Sequence, residues 1–125
     1  MEVAEDLCAE LRLEPFNLVV SMEVVEHVYS PRQWARGCYK ALKPGGFLIC
    51  STPYHGYLKN LALSLFNKWD SHWSPLYEGG HIKFWSRKTL TKLLSDAGFR
   101  AEGISFRGAG RLPYLWKSML LRATK

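Results

Sequence analysis

The sequence predicts an α/β fold: mostly parallel strands, a final antiparallel strand, and a helical insertion. Three observations predict it. Phe16–Ser21 and Phe47–Ser51 are short, largely apolar runs of the kind buried in parallel sheets. Between them, Ser30-Pro31-Arg32-Gln33 has the residues that open a helix, and Lys43-Pro44-Gly45-Gly46 has those that stop one, so strand, helix and strand follow in crossover order. The tail, Tyr114–Ala123, is apolar and ambiguous between helix and strand; as a strand it finishes the sheet with an antiparallel partner.

Taken in order, one domain over 1–125 divides into four stretches: a helix and linker at 1–15, strand–helix–strand at 16–52, a lid insertion at 53–85, and a helix with the final strands at 86–125. Val3–Leu13 has helical composition, and Glu14-Pro15 ends it. Ser30 is placed to cap a helix that runs through about Leu42, a cap worth about 0.5–2 kcal/mol. In the insertion, Leu58, Leu61, Ala62, Leu65, Phe66 and Trp69 recur at helical spacing, which predicts a helix packed as a lid over the sheet's carboxyl edge. Ser86 caps a further helix ending at Ala97-Gly98, with Gly98 suited to the left-handed position that follows a helix, and Phe99–Phe106 alternates like a strand.

Composition narrows the function. A chain of 125 residues with 47% hydrophobic and 22% charged residues is an ordinary globular domain, not a disordered one. No apolar run approaches the roughly twenty residues that cross a bilayer, and no charged-then-apolar leader opens the chain, so a cytoplasmic location is expected. Three cysteines, Cys8, Cys38 and Cys50, form no C-x-x-C pair and read as buried free thiols. The formal charge of +6 comes from scattered lysines and arginines; it permits nucleic acid without indicating it.

Glu23, Glu26 and His27 stand at i, i+3 and i+4. On a helix they would share one face within an arc of about 100°, narrow enough to converge on one ion, with His81 in Gly79-Gly-His-Ile-Lys-Phe-Trp85 as a fourth candidate. Two carboxylates and two imidazoles suit Zn, Mn, Co or Fe(II), and Mg with added waters. The plain alternative makes Glu23 and Glu26 solvated surface groups and packs His27 beside a helix end. Without a metal, His27 or His81 could serve as a general base. Ser21 and Met22 lie at the carboxyl end of a strand, where open α/β sheets bind ligands. The insertion's aromatic set, Tyr54, His55, Trp69, His72, Trp73, Tyr77 and Trp85, could wall a substrate pocket, with Tyr54, His55 and Trp85 the leading candidates and plain core packing the alternative.

The order of these pieces resembles the C-terminal half of a class I S-adenosylmethionine-dependent methyltransferase, a Rossmann-like sheet. Phe16–Ser21 is similar to that family's fourth strand and Lys43-Pro-Gly-Gly46 to its turn into the fifth. Through Glu23-Val-Val-Glu-His-Val28 and Ser51-Thr-Pro53 the chain resembles the ubiquinone-biosynthesis O-methyltransferase group. Small-RNA 2′-O-methyltransferases carry a similar Glu-x-x-Glu-His helix and a later His before Lys-Phe. That likeness implies a divalent ion at Glu23, Glu26, His27 and His81. The resemblance also implies S-adenosylmethionine as cofactor, with Ser21 and Met22 lining its pocket, and a small hydroxylated acceptor as substrate.

One departure stands out. The family's glycine-rich loop and the acidic residue about twenty positions later have no counterpart here, and Gly108-Ala-Gly110 leads into Arg-Leu-Pro, not a helix. The expectation is therefore a partial domain, inactive alone, whose Phe16–Ser21 edge invites a homodimer. RNA methylation and a catalytically dead interaction module are the rival readings.

Overall fold

The computed structural model describes residues 6–73 and 75–125. Its elements are α1 (Leu7–Leu11), β1 (Phe16–Met22), α2 (Pro31–Lys40), β2 (Leu42–Pro53), α3 (Tyr57–Leu65), α4 (Trp69–Trp73), α5 (Arg87–Asp96), a 3₁₀ turn (Ala101–Gly103), β3 (Ser105–Ala109) and β4 (Ser118–Thr124). The four strands form one sheet in the order β1-β2-β4-β3; β1 and β2 are parallel, and β4 is antiparallel to both β2 and β3. The mixed sheet with an antiparallel closing strand is the α/β class read from the sequence.

Local signals account for several boundaries. Ser86 accepts from the Thr89 amide at 3.3 Å while the Ser86 amide donates to Thr89 Oγ1 at 3.1 Å, a reciprocal cap that starts α5. Gly98 follows that helix at φ +110°, where a side chain would be strained. Pro31 opens α2, but Ser30 makes no capping bond through its side chain, so the expected cap is absent. Instead of a turn ahead of the strand, Lys43–Gly46 is an irregularity inside β2: Phe16 pairs with Leu42 and Leu18 with Phe47, and Gly45 adopts φ +78° within the looped-out stretch.

α2 and α5 cover one face of the sheet. Trp34, Ala35, Leu90 and Leu94 pack there on Leu48, Cys50, Met119 and Leu121. Each such buried aliphatic side chain contributes about 1.5–3 kcal/mol. Burial pushes the Cys38 and Cys50 thiols up to about 12, which leaves them protonated and unreactive.

Four further sequence expectations change. β1 is not buried on both faces, because Phe16, Leu18, Val20 and Met22 all stand on the side opposite the core and are exposed. The Phe99–Phe106 strand begins only at Ser105, since the 3₁₀ turn occupies Ala101–Gly103. Of the helix expected at Val3–Leu13, Leu7–Leu11 is helical and residues 1–5 lie outside the described residues. In α3, Leu58, Leu61 and Leu65 face outward, and it is Lys59 that is buried, donating from Nζ to the Lys117 carbonyl at 3.4 Å. The helical period was read correctly there, but it did not say which side faces inward.

Candidate functional site

The Glu23–His27 triplet is not on a helix. β1 continues through Met22, paired with Ser51, and the chain then reverses through a turn at Val25–His27 closed by the His27 amide on the Val24 carbonyl at 2.9 Å. Glu23 sits at φ +51°, uncommon for a residue with a side chain. Its amide donates to the Ser51 carbonyl at 3.0 Å, and its Oε1 accepts from Ser51 Oγ at 2.7 Å. These bonds to β2 outweigh helical propensity, already weakened by the β-branched Val24-Val25 pair.

The turn is clamped to the segment that carries His81. The Glu26 carbonyl accepts from the Ile82 amide at 2.9 Å and the Lys83 amide at 3.1 Å, and Trp85 Nε1 donates to the Val25 carbonyl at 3.2 Å. As a result the His27 and His81 rings meet edge to face with centroids 5.0 Å apart.

Glu26, His27 and His81 each offer one ligand atom, all within 4.8 Å of one another. Glu26 is only 1% exposed; its Oε2 accepts from Thr52 Oγ1 at 2.8 Å, while Oε1 is buried without a partner. His27 Nδ1 donates to the Gly80 carbonyl at 3.1 Å, and its Nε2 lies 3.9 Å from Glu26 Oε1. Both side chains thus have one polar atom fixed by a neighbour, an arrangement of the kind that orients metal ligands. Burial, reinforced by Glu23, raises the Glu26 carboxyl above its ordinary range against the pull of its backbone bond, Thr52 and His27. Burial and then His27 lower His81, with Glu23 opposing, so His81 keeps its lone pair. An orphaned carboxylate oxygen facing two imidazoles fits a divalent cation.

Glu23 stays outside this tight trio but, with His27 and His81, lines an open cleft of about 1060 Å³ together with Tyr29, Trp73, Tyr77 and Ile82; Glu26 lies behind that lining. Tyr54, His55 and Trp85 do not line it. Trp85 is core, pinning the turn through Val25, and Tyr54 packs against Phe106 and Trp116. Trp73 and Tyr77, from the aromatic-rich insertion, do line the cleft, and sequence reasoning missed Tyr29. Tyr29 stands two residues after His27, close enough to have been a candidate.

A family model described as "Methyltransferase domain" matches residues 2–102. The chain belongs to the methyltransferase domain family. It is 38% identical over 114 residues to a ubiquinone biosynthesis O-methyltransferase of Cereibacter sphaeroides, covering 90% of this chain and 44% of that protein. It is 48% identical over 61 residues to one of Caulobacter vibrioides, covering 49% of this chain and 23% of the relative. The chain therefore spans less than half the length of these curated relatives. Among solved structures, an O-methyltransferase family protein from Burkholderia thailandensis superposes with a TM-score of 0.66 at 15% identity, covering 100% of this chain and 35% of that one. An S-adenosylmethionine-dependent methyltransferase from Mesorhizobium loti does so with 0.63 at 18% identity, covering 88% and 62%. At these identities the likeness concerns the fold.

The residues expected at S-adenosylmethionine point different ways. Ser21 is turned toward the core, its Oγ accepting from Trp34 Nε1 at 3.2 Å, whereas Met22 is exposed at the end of β1. Among the described residues no glycine-rich turn joins a strand's end to a helix's start. No helix among them is long and apolar enough to cross a membrane.

Proposed function

We propose that this chain is the acceptor-side, C-terminal part of an S-adenosylmethionine-dependent O-methyltransferase, in which Glu26, His27 and His81 hold a divalent cation beside a small hydroxylated acceptor. One observation carries the reading: the buried, unpartnered Oε1 of Glu26 belongs to a trio in which one ligand atom from each of Glu26, His27 and His81 lies within 4.8 Å of the others. A carboxylate with two imidazoles suits zinc or manganese, and magnesium where waters complete an octahedron. Bound there, a divalent ion supplies the Lewis acidity that lowers the pKa of a coordinated hydroxyl. The protein's own contribution is placement. Thr52 and the Gly80 carbonyl hold Glu26 and His27 in register, Glu23 presents a second carboxylate at the cleft wall, and Tyr29, Trp73 and Tyr77 give the acceptor an apolar seat.

The absence of lysine and arginine from the described cleft lining favours a small acceptor over RNA, whose phosphates call for both. A second reading keeps the enzyme and drops the ion. His81 lines the cleft and is held neutral by its surroundings, as a general base at neutral pH must be.

The test is methyl transfer from S-adenosylmethionine to a catechol. The chain is assayed alone and together with the N-terminal half of the Cereibacter relative, with and without chelator. Transfer by the pair that chelator and Glu26→Gln both abolish is the expected result, with none by the chain alone. Transfer indifferent to chelator removes the cation and leaves the His81 reading. If methylation never appears in any combination, the interaction-module alternative takes the place of the enzyme.

A further inference from the structure

The chain has four histidines, and two of them, His27 and His81, belong to the site above. The other two form a pair of their own. His55, at the end of the loop after β2, and His72, on α4, meet edge to face with ring centroids 5.3 Å apart. His55 is 6% exposed, and its Nδ1 donates to Asn60 Oδ1 at 3.3 Å. That bond assigns the ring proton to Nδ1 and leaves Nε2 as a bare lone pair. Both His55 Nε2 and His72 Nε2 are buried with no hydrogen-bond partner among the described residues. Phe84 packs on His55 at 4.5 Å, and Trp69 lies against both Phe84 and His72, so aromatic rings flank the pair.

Buried polar nitrogens are rarely left unsatisfied, and each costs about 1–3 kcal/mol when they are. We propose that His55 and His72 form a second cation site, independent of the Glu26–His27–His81 cluster, that takes one d-block divalent ion such as Zn²⁺ between their Nε2 atoms with water completing its coordination. Imidazole nitrogen is a preferred ligand for such ions, and a small ion is a species that an aromatic-walled nook can admit. Burial and neighbouring charges act together on the pair. Burial, with Lys59, His72 and His81 adding to it against Asn60, brings His55 down to about 4, and burial followed by Lys59 and His81 lowers His72, so neither nitrogen is occupied by a proton at neutral pH. Lys59 is the charge that opposes a cation here. Burial, with Lys117 adding to it, also holds Lys59 below the usual lysine range, so it releases its proton to solvent more readily than a solvated lysine does.

The experiment is a Zn²⁺ titration of the chain followed through the imidazole Cε1–Hε1 signals. The His55 and His72 signals should shift together and saturate at one equivalent for the pair. They should do so in Glu26→Gln as well, where the response of His27 and His81 is lost. In His72→Asn the His55 signal should stop responding. If that variant does not fold, the unmodified chain still decides the matter. His55 signals that stay fixed at saturating Zn²⁺ overturn the proposal and leave an ordered water as the occupant. A response confined to His55 and His72, with His27 and His81 silent in the unmodified chain, sustains this site while removing the cation from the proposed function.

Discussion

Acidification should destabilise this protein through His55, and the size of the effect follows from its surroundings. Burial, with Lys59 adding to it and Asn60 opposing, lowers His55 from 6.5 to about 4. The unfolded chain therefore takes up a proton between those values while the folded chain does not. For a group whose folded pKa is depressed, stability is complete above the unfolded pKa and is lost as pH falls toward the folded one. A gap of about 2.5 units corresponds to roughly 3 kcal/mol in full, of which about 2 kcal/mol is gone by pH 5. Glu26 acts in the opposite sense. Its raised carboxyl pKa adds stability as pH falls through that value toward 4.5. The assay must separate the two, so urea unfolding of the wild type and His55→Gln is compared at pH 7.5 and pH 5. Gln retains an amide donor for Asn60 and does not titrate. The loss of stability between the two pH values should be smaller in the variant by about 2 kcal/mol. Equal losses in both proteins would mean that His55 is protonated in the folded state, and the account of its burial would fail.

Three further outcomes are expected. Saturating Mn²⁺ or Zn²⁺ at about a hundred times its Kd should stabilise the wild type by about 2.7 kcal/mol, read as a rise in Tm; Glu26→Gln should lose the share due to the trio, and an unchanged rise would discard Glu26 as a ligand. Val20, 57% exposed at the middle of β1, stands on the uncovered face of an edge strand, so Val20→Lys should weaken self-association by about tenfold in sedimentation equilibrium; a wild type that is monomeric at every concentration tested contradicts this. Leu94 is fully buried between α5 and the sheet, and Leu94→Ala should cost about 2–5 kcal/mol in urea unfolding, with a cost near zero refuting the described core.

What could be read along the chain and what could not divide by distance. Ser86 with Thr89, Gly98, Pro31 and the apolar run of β2 act within a few residues, and each marks its element where the structure has it. Burial is different. Phe16–Met22 is apolar enough for a strand covered on both sides, yet only α2 and α5 cover the described sheet, and they lie on one side. α3 shows the same limit, since period alone left open whether Leu61 or Lys59 would point inward.

The helical spacing of Glu23, Glu26 and His27, with the family resemblance adding His81, nominated the candidate ligands. Their convergence was settled elsewhere. The helix that would have grouped Glu23 with them gave way to bonds with Ser51, and His81 arrives beside His27 only because the amides of Ile82 and Lys83 find the Glu26 carbonyl across more than fifty residues. Local backbone preference decides which elements form. Which carboxylate oxygen is left buried and unpaired depends on hydrogen bonds between segments remote in sequence, and only the folded chain makes them.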